Sequence, residues 1–209
     1  MVLRRGVRLL IMSYKDQTIK VYDAFAAELS KNYERSFEGR TKEKADRFLK
    51  ELEHGSRILD VGCANGLHVD YFKEKGYRAK GIDLSYEMVK LARARGLDVK
   101  VMDFEELSFP PESFEGVWAY TSLFHAPSMR LPRILTGIKR VLAPSGVFAI
   151  AMKEGVEEGF FKYGDRQRWF SFYLDRDLKE MLGKDFEIIG SERVESEGKV
   201  FLDYLCRKK

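Results

Sequence analysis

The sequence predicts an α/β fold, in which a largely parallel sheet ends in an antiparallel hairpin and is preceded by a helical cap. Three observations lead to this prediction. Short apolar runs that end in glycine or aspartate alternate with helical patterns over the middle of the chain, which is typical of βαβ units. The last two predicted strands are joined only by residues 195–198, and so short a connection allows only an antiparallel hairpin. Residues 16–52 carry helical patterning alone.

The helical cap is predicted from two amphipathic stretches. In the first, apolar residues recur at spacings of three and four; they are Ile19, Tyr22, Phe25, Ala26 and Leu29. A polar break at residues 37–40 follows, and Thr41 is expected to cap a second helix. The apolar residues of that helix are Ala45, Phe48, Leu49 and Leu52. We therefore assign residues 1–54 to a tail and helical cap, and residues 55–209 to the sheet-containing domain.

Seven strands are predicted after residue 55. The first five alternate with helices and are expected at residues 57–62, 77–83, 98–102, 114–120 and 147–152. Helices are expected at residues 66–75, 85–95, 131–142 and 175–182, and Ser85 is expected to cap the second of them. Strands at residues 186–194 and 199–206 form the closing hairpin.

Composition and charge exclude several classes of protein. The net charge of +4 over 209 residues is too weak an excess for a nucleic-acid-binding domain, and no apolar run approaches the roughly 18 residues of a membrane span. The two cysteines, Cys63 and Cys206, have no metal-ligand spacing, so we expect no metal site and a reducing, cytoplasmic location. Charged residues make up 33% of the chain and amides are few, which is typical of thermophile proteins. Because helical patterning begins only after Met12, the start codon is either Met1 or Met12.

The sharpest motif is the loop at residues 60–66, which runs from the first strand into a helix. Gly62 and Gly66 would let the backbone come close to a ligand, and the helix start offers free N–H groups. Asp83 ends the second strand about 20 residues further on, where a carboxylate can accept hydrogen bonds from a ribose diol. Together these residues predict a nucleoside-containing cofactor across the carboxyl ends of the strands.

The loop does not fit a dinucleotide or a nucleoside triphosphate. The dinucleotide fingerprint requires glycine at positions where this sequence has Ala64 and Leu67. No Gly-Lys-Ser/Thr follows the loop, which excludes a Walker-type phosphate site. Asp60 places a carboxylate beside the loop, and such a group suits a ligand that carries an ammonium.

These motifs and others downstream resemble class I S-adenosylmethionine-dependent methyltransferases over roughly residues 56–152. The segments that carry the resemblance are Asp60-Val-Gly-Cys-Ala-Asn-Gly, Gly81-Ile-Asp-Leu-Ser, Met102-Asp-Phe-Glu-Glu-Leu, Phe114-Glu-Gly-Val-Trp and Val141-Leu-Ala-Pro-Ser-Gly. The segment Ser122-Leu-Phe-His-Ala-Pro is similar to a small-molecule subgroup, the type 11-like methyltransferases. The resemblance implies a Rossmann-like seven-stranded sheet, with S-adenosylmethionine as cofactor and S-adenosylhomocysteine as product.

The resemblance also implies roles for individual residues. The methionine part of the cofactor would contact Asp60, Gly62, Cys63, Ala64, Gly66 and Tyr120, although many members have glycine in place of Ala64. Asp83 would hold the ribose hydroxyls. The adenine would lie between Leu84 and Met88, with its amino group on Asp103 and with Phe104 beside it. The N-terminal helix matches a lid over the cofactor and would bring Tyr22 to its mouth.

The acceptor side of the predicted site leaves alternatives open. His125 follows the fourth strand, where it would act as a general base or orient the acceptor; otherwise it is a loop histidine with a structural role. Residues 160–173 interleave aromatic residues with Lys162, Arg166 and Arg168. They would form a wall for a flat or anionic acceptor, or the aromatic residues would pack under an insertion and leave the basic side chains in solvent.

We predict methyl transfer to a small-molecule acceptor by in-line displacement, a reaction in which orientation carries much of the catalysis. Lys153 and Glu154 would face that acceptor or form an exposed pair. The Asn/Asp-Pro-Pro-aromatic motif of amino-directed nucleic-acid methyltransferases is absent after the fourth strand, so a nucleic-acid partner is not expected. The alternatives are an RNA or protein methyltransferase that uses the segment near Arg168, and a non-catalytic S-adenosylmethionine-binding module.

Overall fold

A computed structural model of the chain describes residues 14–37, 41–196 and 198–209. Its main sheet is formed by β1 (Arg57–Val61), β2 (Arg78–Asp83), β3 (Val99–Val101), β4 (Phe114–Tyr120), β5 (Leu142–Lys153), β8 (Phe186–Ser196) and β9 (Lys199–Lys208), while β6 (Glu158–Tyr163) and β7 (Arg166–Ser171) form a separate hairpin. The seven strands lie in the order β3-β2-β1-β4-β5-β9-β8. Strands β1 to β5 are parallel, whereas β9 runs antiparallel to β5 and β8. The predicted sheet with one antiparallel strand is confirmed.

Helices cover both faces of this sheet. They are α1 (residues 14–24), α2 (Ala26–Ser36), α3 (Lys42–Lys50), α4 (Leu67–Glu74), α5 (Tyr86–Ala94), α6 (Leu131–Val141) and α7 (Asp175–Gly183). Successive side chains of a strand point to opposite faces. Ile58 of β1 therefore packs with α3, α4 and α5, whereas its neighbour Leu59 packs with α6 and α7. Burial on both faces explains the nearly continuous apolar run of β5, a pattern that favours a parallel strand.

The N-terminal helices differ from the prediction in two details. The first amphipathic stretch is divided at Phe25, whose φ of −112° and ψ of 20° separate α1 from α2. Thr41 does not act as an N-cap, because it has helical φ and ψ angles and its side chain makes no capping hydrogen bond. Met1, Met12 and the polar break at residues 38–40 lie outside the described residues. Phe48 of α3 is fully buried, so this helix is part of the core of the sheet domain.

The remaining boundaries follow the prediction closely, apart from β5. The Ser85 cap is confirmed, because its Oγ accepts a hydrogen bond from the Met88 backbone N–H at 3.2 Å. Strand β5 begins directly after α6, since Leu142 already pairs with Phe114 before the register shifts towards Gly116. Residues 142–146 were therefore wrongly predicted to lie outside the strand, because Pro and Gly there suggested a turn.

The β6–β7 hairpin is the element that the sequence analysis missed. Tyr163 pairs with Arg166, so the two strands are joined by Gly164 and Asp165 alone. Gly164 has a φ of +62°, which a two-residue hairpin turn requires. A glycine-aspartate pair between aromatic and polar runs is a hairpin signal, and it was present in the sequence. No helix among the described residues is long and apolar enough to cross a membrane.

Candidate active site

A cavity of about 890 Å³ lies at the carboxyl ends of β1, β2, β4 and β5. Its floor is formed by the loop after β1 and by the residues that follow β2 and β4, and α1 and α2 cover it with Tyr14, Lys15, Thr18, Tyr22 and Tyr33. The carboxyl ends of parallel strands are where open α/β sheets bind ligands, and the volume is that of a site for small organic molecules.

The loop after β1 is held against β2 by its own backbone. The N–H groups of Gly62 and Cys63 both donate to the Ile82 carbonyl, at 2.8 and 2.9 Å. A Cβ on Gly62, where φ is +76°, would overlap the Ser122 side chain. A Cβ on Gly66 would lie 2.6 Å from the Leu97 Cδ1 atom. Both glycines thus make room for protein atoms; Gly62 lines the cavity, whereas Gly66 does not.

Asp83 connects this loop to the start of α5. Its Oδ2 accepts a hydrogen bond from the Ala64 N–H at 2.8 Å, and its Oδ1 accepts one from the Ser85 N–H at 2.9 Å. Burial raises the pKa of Asp83, and the backbone donors oppose that rise. Ala64 adopts the left-handed region, with φ at +47°, which explains why glycine also suits this position. A carboxylate has further lone pairs beyond the two used here, so Asp83 can still accept hydrogen bonds from a ligand in the cavity.

Two buried polar atoms near this loop lack partners among the described residues. They are Asp60 Oδ2 and His68 Nε2, and Asp60 Oδ2 lies 3.8 Å from His68 Nδ1. Burial raises the pKa of Asp60 well above its usual value and lowers the pKa of His68 to about 4. His68 lines the cavity and Asp60 lies behind that lining. A buried carboxylate without a partner is costly, and a cationic ligand group would relieve that cost.

The remaining residues predicted for the cofactor divide into two groups. Leu84, Phe104 and Tyr120 line the cavity, and the Tyr120 ring stacks on Trp118 at 4.9 Å. Met88 does not line it, because its side chain is fully buried against Ala26 and Leu29.

Asp103 lies in the cavity but is engaged by α1. Lys15 Nζ lies 2.6 Å from Asp103 Oδ2 and 2.9 Å from Glu105 Oε1. The Glu105 backbone N–H donates to Asp103 Oδ1 at 2.9 Å. The Tyr14 hydroxyl donates to the Glu105 carboxylate. Lys15 was missed by the sequence analysis, because residues 15 and 103 are related only through the fold.

His125 also lines the cavity, and both of its ring nitrogens are engaged. Its Nδ1–H donates to the Trp169 carbonyl at 2.7 Å, so its Nε2 is the acceptor for the Tyr22 hydroxyl, also at 2.7 Å. Arg168 Nη1 donates to the same hydroxyl at 3.2 Å. Burial, above all, lowers the pKa of His125 to about 3. The imidazole is therefore uncharged near neutral pH, and it links α1 to β7.

The fold separates the basic residues that were singled out from the sequence into two groups. Lys153 and Arg168 line the cavity, together with Lys199 from β9. Lys162 and Arg166 lie outside this cavity, beside a smaller surface pocket. Lys199, and the aromatic Phe124 and Phe201, were not singled out from the sequence. Among the described residues, no group of three histidine, cysteine, aspartate or glutamate side chains is arranged to hold a metal ion.

The chain is similar to known proteins in sequence and in fold. The family profile described as a methyltransferase domain matches residues 59–150. Residues 59–150 are thus similar to a methyltransferase domain. A solved structure of the 1,6-didemethyltoxoflavin-N1-methyltransferase of Burkholderia thailandensis, with bound 1,6-didemethyltoxoflavin and S-adenosylhomocysteine, has a TM-score of 0.66. The two sequences are 24% identical, and the match covers 91% of this chain and 89% of that chain. The two proteins therefore share a fold.

Curated relatives match the methyltransferase domain over part of their length. The S-adenosyl-L-methionine-dependent Diels-Alderase iccD of Talaromyces variabilis is 35% identical over 113 residues, which are 49% of this chain and 38% of that protein. The ubiquinone biosynthesis O-methyltransferase of Xanthomonas oryzae is 35% identical over 99 residues, 44% of this chain and 41% of that protein. The probable tRNA methyltransferase 9B of Bos taurus is 30% identical over 105 residues, 50% of this chain and 23% of that protein. The chain thus spans less than half the length of each.

The residues of the methyltransferase domain fit S-adenosylmethionine, the cofactor of this family. The cofactor carries a ribose diol and an α-ammonium group, both of which are hydrogen-bond donors. The cavity presents the fixed Asp83 carboxylate, and the unpartnered Asp60 Oδ2 lies behind its lining. The donor groups of the cofactor therefore match the acceptors of the protein.

Proposed function

We propose that the protein transfers the methyl group of S-adenosylmethionine to a small molecule. The observation that carries this proposal is one cavity lined by two chemically different groups of residues, which we term the cofactor end and the acceptor end. The cofactor end contains Ala64, Asp83 and Asp103, and the acceptor end contains His125, Lys153 and Arg168. Tyr120 lies at the carboxyl end of β4, the strand whose following residues lead to His125. A cofactor and a second molecule would therefore meet near Tyr120.

At the cofactor end, the side chains bind S-adenosylmethionine and orient it. Asp83 accepts hydrogen bonds from the ribose hydroxyls, Asp103 accepts one from the adenine amino group, and Asp60 balances the ammonium charge. Leu84 and Phe104 provide apolar contacts for the adenine. The cofactor supplies an activated methyl group, so alignment of the acceptor is the main task left to the protein.

At the acceptor end, His125 is a positioning residue. Its Nε2 holds the Tyr22 hydroxyl and its Nδ1–H is fixed by Trp169, so the ring has no free nitrogen for an acceptor while these hydrogen bonds persist. The lowered pKa of His125 also makes it a weak base. We therefore favour the structural role of His125, in which it holds Tyr22 in place, over general-base catalysis and over direct contact with the acceptor.

The cover formed by α1 supports a small-molecule acceptor. This helix is tied to one wall by Lys15 and Asp103, and to the other by the Trp169 N–H, which donates to Thr18 Oγ1 at 3.0 Å. A polymer would reach the acceptor end only after α1 had moved. The ubiquinone and toxoflavin methyltransferases act on small molecules according to their names, which is consistent with this proposal.

Calorimetric titration with S-adenosylmethionine and S-adenosylhomocysteine tests the cofactor end. In the variant Asp83→Ala, we expect both affinities to fall at least about thirtyfold, because two charge-assisted hydrogen bonds are lost. Asp98→Ala is the matched control, since Asp98 is exposed and pairs with Lys80. Asp83→Asn retains an acceptor oxygen and separates lost binding from lost folding. Wild-type protein that binds neither ligand would overturn the proposal.

Transfer itself is tested with labelled methyl groups. Incorporation into small-molecule extracts, but not into RNA or protein, is the expected outcome. Incorporation into RNA with a steep dependence on salt would favour the RNA alternative. Cofactor binding without any incorporation would favour a binding module, or a reaction other than methyl transfer such as that named for the Diels-Alderase relative.

A further inference from the structure

Three basic side chains face the acceptor end and form what we term the cation cluster. Lys153 lies at the end of β5, Arg168 on β7 and Lys199 at the start of β9, and all three line the cavity. Among the described residues, no carboxylate forms an ion pair with any of them. Several other basic side chains do have such partners, for example Lys15, Lys44 and Arg193. The cation cluster therefore lacks a counterion within the described chain.

The cluster lies against aromatic rings in place of acids. Lys153 Nζ lies 3.7 Å from the centre of the Phe170 ring and 5.1 Å from that of Phe124. The Arg168 guanidinium lies 5.0 Å from the same Phe170 ring. Cation–π contacts are weak, and they do not replace the hydration that a partly buried ammonium loses. Burial, followed by the charges of Lys199 and Arg168, lowers the pKa of Lys153 to about 7.

We propose that Lys153 and Arg168 bind an anionic group, a carboxylate or phosphate, on an aromatic methyl acceptor. This inference rests on the proposed function and specifies the class of substrate. The anion would make charge-assisted hydrogen bonds to both side chains, and Arg168 could form two of them in parallel. The acceptor ring would contact Phe124 and Phe170, whose faces already attract the cations. An anion would thus supply the charge that the cluster lacks.

The methionine carboxylate of the cofactor has the same chemistry and is the other possible source of the anion. The two sources are separated by titrating protein that is already saturated with S-adenosylhomocysteine. The probes are benzoate and phenyl phosphate, with benzamide as the neutral analogue of similar shape. Calorimetry is performed on the wild type and on Lys153→Met, Arg168→Met and Lys162→Met. Lys162→Met is the matched control, because Lys162 is an exposed residue of the same hairpin and lies outside the cavity.

We expect the wild type and Lys162→Met to bind at least one anionic probe about tenfold or more tightly than benzamide. In Lys153→Met and Arg168→Met this preference should fall about tenfold, while the affinity for S-adenosylhomocysteine changes less than about threefold. If Arg168→Met does not fold, Arg168→Lys is the second variant. It keeps the positive charge but lacks the planar guanidinium, so it should lose part of the preference for anionic probes over benzamide.

Two results would overturn the inference. One is equal binding of benzamide and both anionic probes by the wild type. The other is a large loss of S-adenosylhomocysteine affinity in the Lys153 and Arg168 variants, which would assign the cluster to the cofactor carboxylate. A different result would overturn the proposed function itself, namely a wild type that does not bind S-adenosylhomocysteine at all.

Discussion

The two ends of the cavity are built on different principles. At the cofactor end, Asp83 is already fixed by the protein, since its carboxylate accepts two backbone hydrogen bonds. At the acceptor end, Lys153 and Arg168 contact rings and have no acidic partner among the described residues. A prearranged end suits a ligand that is the same in every reaction. An end with unbalanced positive charge depends on its ligand to supply the negative charge. Under the proposed function, the first end would supply affinity for the cofactor and the second would select the acceptor.

The largest expected effect tests how rigid the cofactor end is. Gly62→Ala places a Cβ on the Ser122 side chain at a φ of +76°, so we expect a loss of about 2–5 kcal/mol in the free energy of unfolding. Gly55→Ala is the control, because its φ is +83° but nothing lies within 4 Å of its Cβ. It should cost about 1–2 kcal/mol. Urea unfolding of both variants provides the measurement, and equal losses would show that the Ser122 contact is unimportant.

The cation cluster is expected to lower the free energy of unfolding. The pKa of Lys153 is lowered to about 7 by burial and neighbouring cations, so between pH 7 and about 10.5 the unfolded chain binds more protons than the folded one. The wild type should therefore gain stability as the pH rises through this window. Lys153→Met should lack that gain and should be the more stable protein at pH 6, with the advantage shrinking by pH 10. Urea unfolding at pH 6, 8 and 10 measures this, and parallel pH profiles would contradict it.

A smaller effect is expected where Lys15 of α1 pairs with Asp103, the residue proposed to bind the adenine. Lys15→Met frees Asp103 for the ligand, so S-adenosylhomocysteine should bind about fivefold more tightly, which corresponds to about 1 kcal/mol for a partly buried ion pair. Lys20→Met is the control, because Lys20 is an exposed residue of the same helix. Calorimetry that finds unchanged or weaker binding in Lys15→Met would show that Lys15 and the cofactor do not compete.

The smallest effect is expected at the hydrogen bond between α1 and the acceptor end. Tyr22→Phe removes the donor to His125 Nε2 and should cost about 0.5–1.5 kcal/mol of stability. Without that donor, protonation of Nε2 becomes easier, so the pKa of His125 should rise from about 3. Titration of the imidazole by NMR measures the shift. A pKa that stays the same would show that burial alone keeps the ring neutral.

The cofactor end was the more predictable end because its residues follow directly from strand endings. The loop after β1 and Asp83 are fixed by the alternation of strand and helix, so their positions could be read from the sequence. The packing roles of Gly66 and Met88 could not, since they depend on contacts with Leu97 and α2 that no local pattern contains.

The residues of the acceptor end could be grouped only from the three-dimensional fold. Lys153, Arg168 and Lys199 come from three strands in two sheets, and only the three-dimensional arrangement brings them to one cavity. The break at Phe25 is similar, because its ring packs against Tyr163 of the hairpin that the sequence analysis missed. A helical period continues through such a break, so periodicity cannot reveal it.

The position of β9 between β5 and β8 has a consequence for how the chain is made. Strand β5 is followed by β6, β7, α7 and β8 before its antiparallel neighbour β9 is synthesised. Until residues 199–208 leave the ribosome, β5 presents a long apolar edge with unpaired backbone groups, which is a template for aggregation. Strand β8 also has no neighbour in the sheet until then. Completion of the sheet therefore waits for β9, and the edge of β5 is prone to aggregation until β9 has paired with it.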